Sequence, residues 1–367
     1  MRRLLWVVLT LACGAASAQT LRDDFDAAVL DPRKWSTAQV LPGQIDFVKP
    51  GRCGAAAVEV TVRDGDGGLD CADDCQRAEL RLDRAAWPIF GDEVWYAFSF
   101  RIEAEVPSTG SARTVIGQWK APGDNSPFLA QRFDNGVFHI TVQDGEARRV
   151  VAQAEGDPDR MLLAQQALSG LDSHDPRTVA AVQSLQALHR LRRDQPDLSA
   201  RFFSGQLLDS LQGGAPQAPD TKRLSDTLGL QNSALVPLFG DLSFVAEPER
   251  YLGKAEIEVT PEADRRLPDP RKGWVDMVYR IRPGRLDNEV GPKRQGEIDI
   301  WANGQKIVSV RGNIGARLTA ERPPELVGPY FKFGLYRARI PGAFRFQFDE
   351  FAEAPTREGL GPLCPRP

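Results

Sequence analysis

Residues 297–312 read EIDIWANGQKIVSVRG, two short strand-like runs joined by Asn303 and Gly304. An Asn-Gly pair between apolar strands signals a two-residue hairpin, because both turn positions need the positive φ that these residues tolerate. Similar alternating or aromatic-rich segments recur outward along the chain: AAAVEVTVRD at 55–64, EVWYAFSFRIEA at 93–104, VFHITVQ at 137–143, KAEIEVTP at 254–261 and WVDMVYRIRP at 274–283. Gly, Pro, Asp and Asn separate them in place of a strand–helix–strand rhythm, so the pattern predicts an antiparallel β-sandwich. The 367 residues suffice for a large core, in one large domain or two smaller ones.

The β pattern breaks between about 153 and 235, where MLLAQQALSGL (161–171) and DPRTVAAVQSLQALHRLRRD (175–194) space apolar residues three and four apart. Asp175 and Pro176 read as a helix start, and Gly213, Gly214, Pro216 and Pro219 as a later loop. The expectation is a helical insertion in one sandwich, a surface embellishment more than a flap over a groove.

The first residues, MRRLLWVVLTLACGAASAQT, place Arg2 and Arg3 before the apolar run Leu4–Ala12 and end in a small-residue A-x-A-like site at Ala16–Ala18. This reads as a signal peptide over 1–18, with a mature chain from Gln19 in the periplasm or secreted. The run is too short to cross a membrane, which takes about 20 residues, and no other segment approaches that length. Thr10 fits poorly the apolar position expected three residues before a lipidated Cys13. Losing Arg2 and Arg3 takes the formal net charge from −4 to −6, which argues against nucleic acid as partner but leaves room for a local basic groove. Cys53, Cys71, Cys75 and Cys364 remain, enough for two disulfides in any of three pairings. Cys71 and Cys75 are near enough to staple a loop, and Cys364 is placed to tether the C-terminus. Their spacing matches no common zinc signature.

Three phrases, QRAELRLD (76–83), VIGQWKAP (115–122) and YFKFGLYR (330–337), together resemble the alginate lyase, heparin lyase I and glucuronan lyase group of polysaccharide lyases. SPFLAQRFDNG (126–136), WVDMVYRIRPG and EIDIWANGQKIV follow in the same order, so the resemblance runs from roughly 22 to 354 outside the insertion. It implies an all-β, concanavalin A-like jelly-roll sandwich over 19–367, with an anionic polysaccharide crossing one concave sheet. It carries catalytic positions onto Arg77, Gln118, Lys120 and Tyr336, and a substrate contact onto Lys332; Lys120 stands where the group often has histidine. No cofactor is required for the implied chemistry, a structural calcium is left open without assigned ligands, and a monomer is expected.

Strand periodicity is consistent with these positions. Residues two apart share a face, so Arg77, Glu79 and Arg81 can line one groove, Gln118 and Lys120 pair, and Tyr330, Lys332, Gly334 and Tyr336 separate from Phe331, Phe333 and Leu335. A plain sandwich would show the same alternation merely to solvate its outer face. Glu79 reads as an internal partner that fixes Arg77 or Arg81. In β-elimination at a uronate, Gln118 and Arg77 would hold the carboxylate, and Tyr336 would protonate the leaving oxygen and, if activated, remove the C5 proton. Lys120 reads as an electrostatic contact. Arg81, Arg132 and Arg337 would extend the binding surface. His139 is an alternative base or substrate contact, against the simpler reading of a sheet-surface histidine, and His174 and His189 fall in the insertion. Trp119 is expected in the core, and Trp301 either there or stacked on sugar. The competing classes are a noncatalytic carbohydrate-binding or cell-envelope protein and, less favoured, a glycoside hydrolase, for which no paired carboxylates stand out.

Overall fold

The computed structural model describes residues 20–67, 75–103, 114–122, 126–134, 136–144, 147–155, 219–228, 257–285, 294–316, 320–323, 328–338 and 342–364, with scattered positions from 179 to 195 and residue 326. Its strands, in chain order, are β1 (Leu21–Asp23), β2 (Trp35–Gln39), β3 (Ile45–Val48), β4 (Ala57–Val62), β5 (Cys75–Leu82), β6 (Val94–Ile102), β7 (Thr114–Lys120), β8 (Leu129–Asp134), β9 (Val137–Asp144) and β10 (Ala147–Gln153). After the insertion come β11 (Ile257–Pro261), β12 (Val275–Arg282), β13 (Gly284–Arg285), β14 (Gly296–Ala302), β15 (Gln305–Gly312), β16 (Gly315–Ala316), β17 (Tyr330–Ala338) and β18 (Phe344–Ala354).

Among the described residues, one sheet runs β11-β15-β14-β12-β6-β18-β4-β3, with β1 added to β18, and a second runs β10-β9-β8-β7-β17-β5-β2. Every pairing in these two sheets is antiparallel; the short β13–β16 pair is parallel. Sequence neighbours often lie far apart in this order, with β17 between β7 and β5 and β18 between β6 and β4, the crossing that distinguishes a jelly roll from a meander. Asn303 (φ 48°) and Gly304 (φ 77°) close the β14–β15 hairpin as the sequence predicts.

Alternation decides which side chains enter the core. In β12 the inward Val275, Met277, Tyr279 and Ile281 are buried while their neighbours are partly exposed. The two sheets meet through aromatic rings: Trp119 lies 4.5 Å from Tyr279 and 4.7 Å from Phe331, and Phe333 lies 4.4 Å from Phe348. Trp119 is therefore a core residue. Trp301 is on the outer face of the other sheet, stacked on Trp95 at 5.4 Å, and does not line the groove face.

Cys53 and Cys364 form a disulfide that ties the chain end to the loop before β4. Cys75 is also disulfide-bonded, while Cys71 lies outside the described residues. The described positions between 179 and 194 are helical, with Ser184, Ala187 and Leu191 buried at spacings of three and four. Helix α1 (Pro219–Leu228) corrects the reading of Pro219 as loop. Proline at a helix's first position gives up an N–H that has no partner there anyway. The segment 161–171, Gly213, Gly214, Pro216, His174 and His189 lie outside the described residues.

Candidate active site

The face expected to form the groove belongs to the seven-stranded sheet, and three adjacent strands, β5, β17 and β7, supply its centre. On β5, Ala78, Leu80 and Leu82 point into the core, which turns Arg77, Glu79 and Arg81 to the opposite face. On β17, Phe331, Phe333 and Leu335 enter the core and leave Tyr330, Lys332 and Tyr336 on the groove side. On β7, the core residue Trp119 leaves Gln118 and Lys120 beside them.

Glu79 is the hub. Its carboxylate lies 3.2 Å from Arg77 Nε and 3.1 Å from Lys332 Nζ, and accepts a hydrogen bond from Gln118 Nε2. Lys332 also donates to Gln39 Oε1 at 3.1 Å. With Glu79 1% and Lys332 4% exposed, these are charge-assisted contacts in a largely dry setting, where each partner needs the others. The expected internal partner role of Glu79 thus falls on Arg77 and Lys332; Arg81 takes no part in it. Gln39, which no motif marks, is part of the group because β2 pairs with β5 and sets Gln39 opposite Glu79.

Arg77 and Tyr336 face each other across the β5–β17 ladder, with the guanidinium 4.0 Å from the ring centroid. Gln118 and Lys332 are likewise direct cross-strand partners. This same antiparallel register separates Lys120 from Tyr336. Because β7 and β17 run in opposite directions, Lys120 pairs with Tyr330 and Tyr336 with Val115. Lys120 thus stands six positions from Tyr336 along β17, on the order of 20 Å at strand rise. The four positions carried over as one catalytic set form two neighbouring groups and an outlier.

Three further positions are placed differently from expectation. Arg337 is 0% exposed on the core side of β17, donating to Gln76 Oε1 (2.6 Å) and the Gly342 carbonyl (2.8 Å), with its guanidinium over Phe344. It follows Tyr336 by one residue, and a strand's period of two turns it away from the groove. Arg132 and His139 share the cross-strand row of Tyr336 through Val115, yet both are buried: Arg132 Nε donates to Thr141 Oγ1 at 3.0 Å, and His139 Nδ1 lies 3.2 Å from the Val137 carbonyl oxygen. Burial, with Arg132 adding to it, pushes the His139 pKa down to about 3, so the ring is neutral near pH 7. A fully buried ring is not the sheet-surface histidine of the simpler reading.

At the far end of β17 a second cluster joins Arg81 and Tyr330 to Trp87, which the sequence left unmarked. Trp87, in the turn after β5, stacks on Tyr330 at 4.6 Å and 25°, and the Arg81 guanidinium lies over both rings at 5.7 and 5.6 Å.

Among the described residues no three of Asp, Glu, His and Cys converge as a metal ion requires, so no calcium ligands are assigned. The densest carboxylates, Asp24, Asp26, Asp349 and Glu350, are partly committed to backbone N–H groups: Asp26 accepts from Ala56, and Asp349 from Arg52 and Glu350.

The seven-stranded sheet of this two-sheet jelly roll thus gathers arginine, lysine, glutamine and tyrosine on one polar face. This chain belongs to the polysaccharide lyase family, whose model matches residues 27–358. It is a polysaccharide lyase. No curated protein matches it significantly. Solved structures similar to it include family 7 alginate lyase A1-II′ with bound product (10% identity, TM-score 0.41, 90% of this chain and 98% of that one). Alginate lyase Aly36B (10%, 0.39, 92% and 97%) and an alginate lyase from Pseudomonas aeruginosa (14%, 0.36, 88% and 99%) are also similar. Family membership rests on the family match and not on these weak structural likenesses.

Proposed function

We propose that the enzyme cleaves a uronate-containing polysaccharide by β-elimination, with Tyr336 moving the protons and Arg77, Gln118 and Lys332 holding the uronate carboxylate. The observation that carries this reading is the Arg77–Tyr336 pair set beside the Glu79-centred cluster. Removing the C5 proton builds negative charge on the carboxylate, and two cations and an amide held by Glu79 meet that charge without having to reorganise. The C4–O bond then breaks as the C4=C5 double bond forms, and the departing oxygen takes a proton. Entering as phenolate, this one tyrosine serves as base at C5 and, once protonated, as acid at C4, with Arg77 beside its ring. Lys120 has no part at the reacting carbon in this scheme, because the strand register holds it away.

Glucuronan, alginate and glycosaminoglycans all present the required carboxylate, and a cationic groove favours them over neutral polymers. The signal-like N-terminus and the Cys53–Cys364 disulfide support action in the periplasm or outside the cell. The test is incubation of the mature protein with a panel of these polymers, following ultraviolet absorbance of unsaturated uronates and product masses. Unsaturated products, reduced roughly 10²- to 10⁴-fold in a folded Tyr336→Phe protein, are the expected result. Binding without cleavage would instead mark a noncatalytic carbohydrate-binding descendant, and saturated fragments a hydrolase.

A further inference from the structure

The reacting pair Arg77–Tyr336 occupies one end of the groove strands, and the Trp87–Tyr330 stack with Arg81 occupies the other, with Lys120 paired to Tyr330 in the ladder. We infer that this second cluster is a distal subsite that grips a uronate residue of the same chain several sugars away from the bond being broken. The inference rests on the lyase reading for its substrate and goes beyond it in assigning Trp87 and Lys120 a binding role away from the chemistry.

Charge and ring chemistry together suit a uronate. Arg77 and Lys332 have their charge met by Glu79, whereas Arg81, among the described residues, forms no ion pair and is partly exposed. Arg81 hydrogen-bonds the Tyr330 side chain, and a guanidinium has five N–H donors, so others remain for a carboxylate. Trp87 is partly exposed, and its indole N–H is already committed to the Leu82 carbonyl at 2.9 Å, so what it presents is ring surface. An aromatic face accepts the apolar face of a pyranose while a neighbouring cation reads the carboxylate. Trp87 also lines a cavity of about 510 Å³, but among its described lining residues Asp92 and Glu93 stand against the cation Arg33, an acidic balance that does not favour an anionic sugar. The ligand side is therefore the Arg81–Tyr330 side.

A distal grip contributes to binding of long chains and not to the bond-breaking step. The experiment measures kcat and KM for the full mature chain on uronate oligomers of graded length, comparing the unaltered enzyme with Trp87→Ala, Trp87→Phe and Lys120→Ala. Expected is a KM raised roughly three- to tenfold on long oligomers for both alanine variants, with kcat and short-oligomer kinetics unchanged and partial recovery in Trp87→Phe. An equal loss at every length, or a loss in kcat, would place these residues at the reacting centre and overturn the inference; so would unchanged KM on long oligomers.

Equilibrium binding of oligoglucuronate and oligomannuronate to Tyr336→Phe protein, with a neutral cello-oligosaccharide as control, separates the two claims. If the enzyme makes no unsaturated product, the lyase reading falls. The subsite then stands only if Trp87→Ala and Lys120→Ala still weaken binding of long acidic oligomers and leave the neutral one unaffected.

Discussion

Glu79 brings one negative charge to a group of two cations and an amide, and the arrangement of Arg77, Lys332 and Gln118 depends on it. Replacing it with Gln keeps the shape and removes the charge, leaving Lys332 buried without its counter-ion. We expect Glu79→Gln to lower stability by roughly 3 kcal/mol, read from urea unfolding, and to cut kcat along with it. A variant as stable and as active as the parent would show that the cluster is ornamental. At this scale the sequence was a good guide to residue type and a poor one to neighbours. Arg77, Glu79, Gln118, Lys332 and Tyr336 all lie on the groove face as the period of two requires. That Lys120 stands apart from Tyr336, that Arg132 and His139 are buried, and that Gln39 and Trp87 join the groove were not legible. Each depends on which strand lies alongside and in which register.

Strand β17 shows what an element adds. Its first seven residues, YFKFGLY, alternate cleanly, yet its pairing with β7 shifts between Phe333 and Tyr336, where β17 carries an extra residue. Gly334 sits in this stretch at φ 133°, and a Cβ there would come within 2.1 Å of the Ala78 carbonyl oxygen. Pairing with β5 runs through this stretch without a shift and sets Tyr336 opposite Arg77, and only glycine allows the close approach of β5. Gly334→Ala should therefore cost at least about 2 kcal/mol through combined φ strain and overlap, measurable as a lowered denaturation midpoint. A midpoint unchanged within error would mean that the backbone relaxes freely there. Glycine inside a strand motif hints at a bulge, but the motif alone does not say which strand it presses against.

Over the whole molecule, the central strand β18 holds three acidic groups whose environments oppose ionisation. Burial raises Asp349 to about 6, burial and Asp349 raise Glu350 to about 7, and burial raises Glu353 to about 8. Each folded-state value lies above its ordinary value of 3.8 or 4.5, so the fold favours the protonated acid. The stability linked to protonation is complete below the ordinary values and is lost as pH rises through about 6 to 8. Tm should accordingly fall between about pH 5 and pH 8, with Glu353→Gln flattening the upper part of the decline; a Tm that rises over this range would refute the assignment. By itself the sequence determined the alternating strands, the Asn303–Gly304 hairpin, the placing of the helical segments after β10 and the shared face of Arg77, Glu79, Gln118, Lys332 and Tyr336, because these follow from a repeat of two or 3.6 residues read locally. Tertiary structure alone decided that β17 lies between β7 and β5, that Cys53 meets Cys364, and that Trp87 stacks on Tyr330. Those pairings join residues distant in sequence, and packing and register across the sheet, not local periodicity, choose among the partners available.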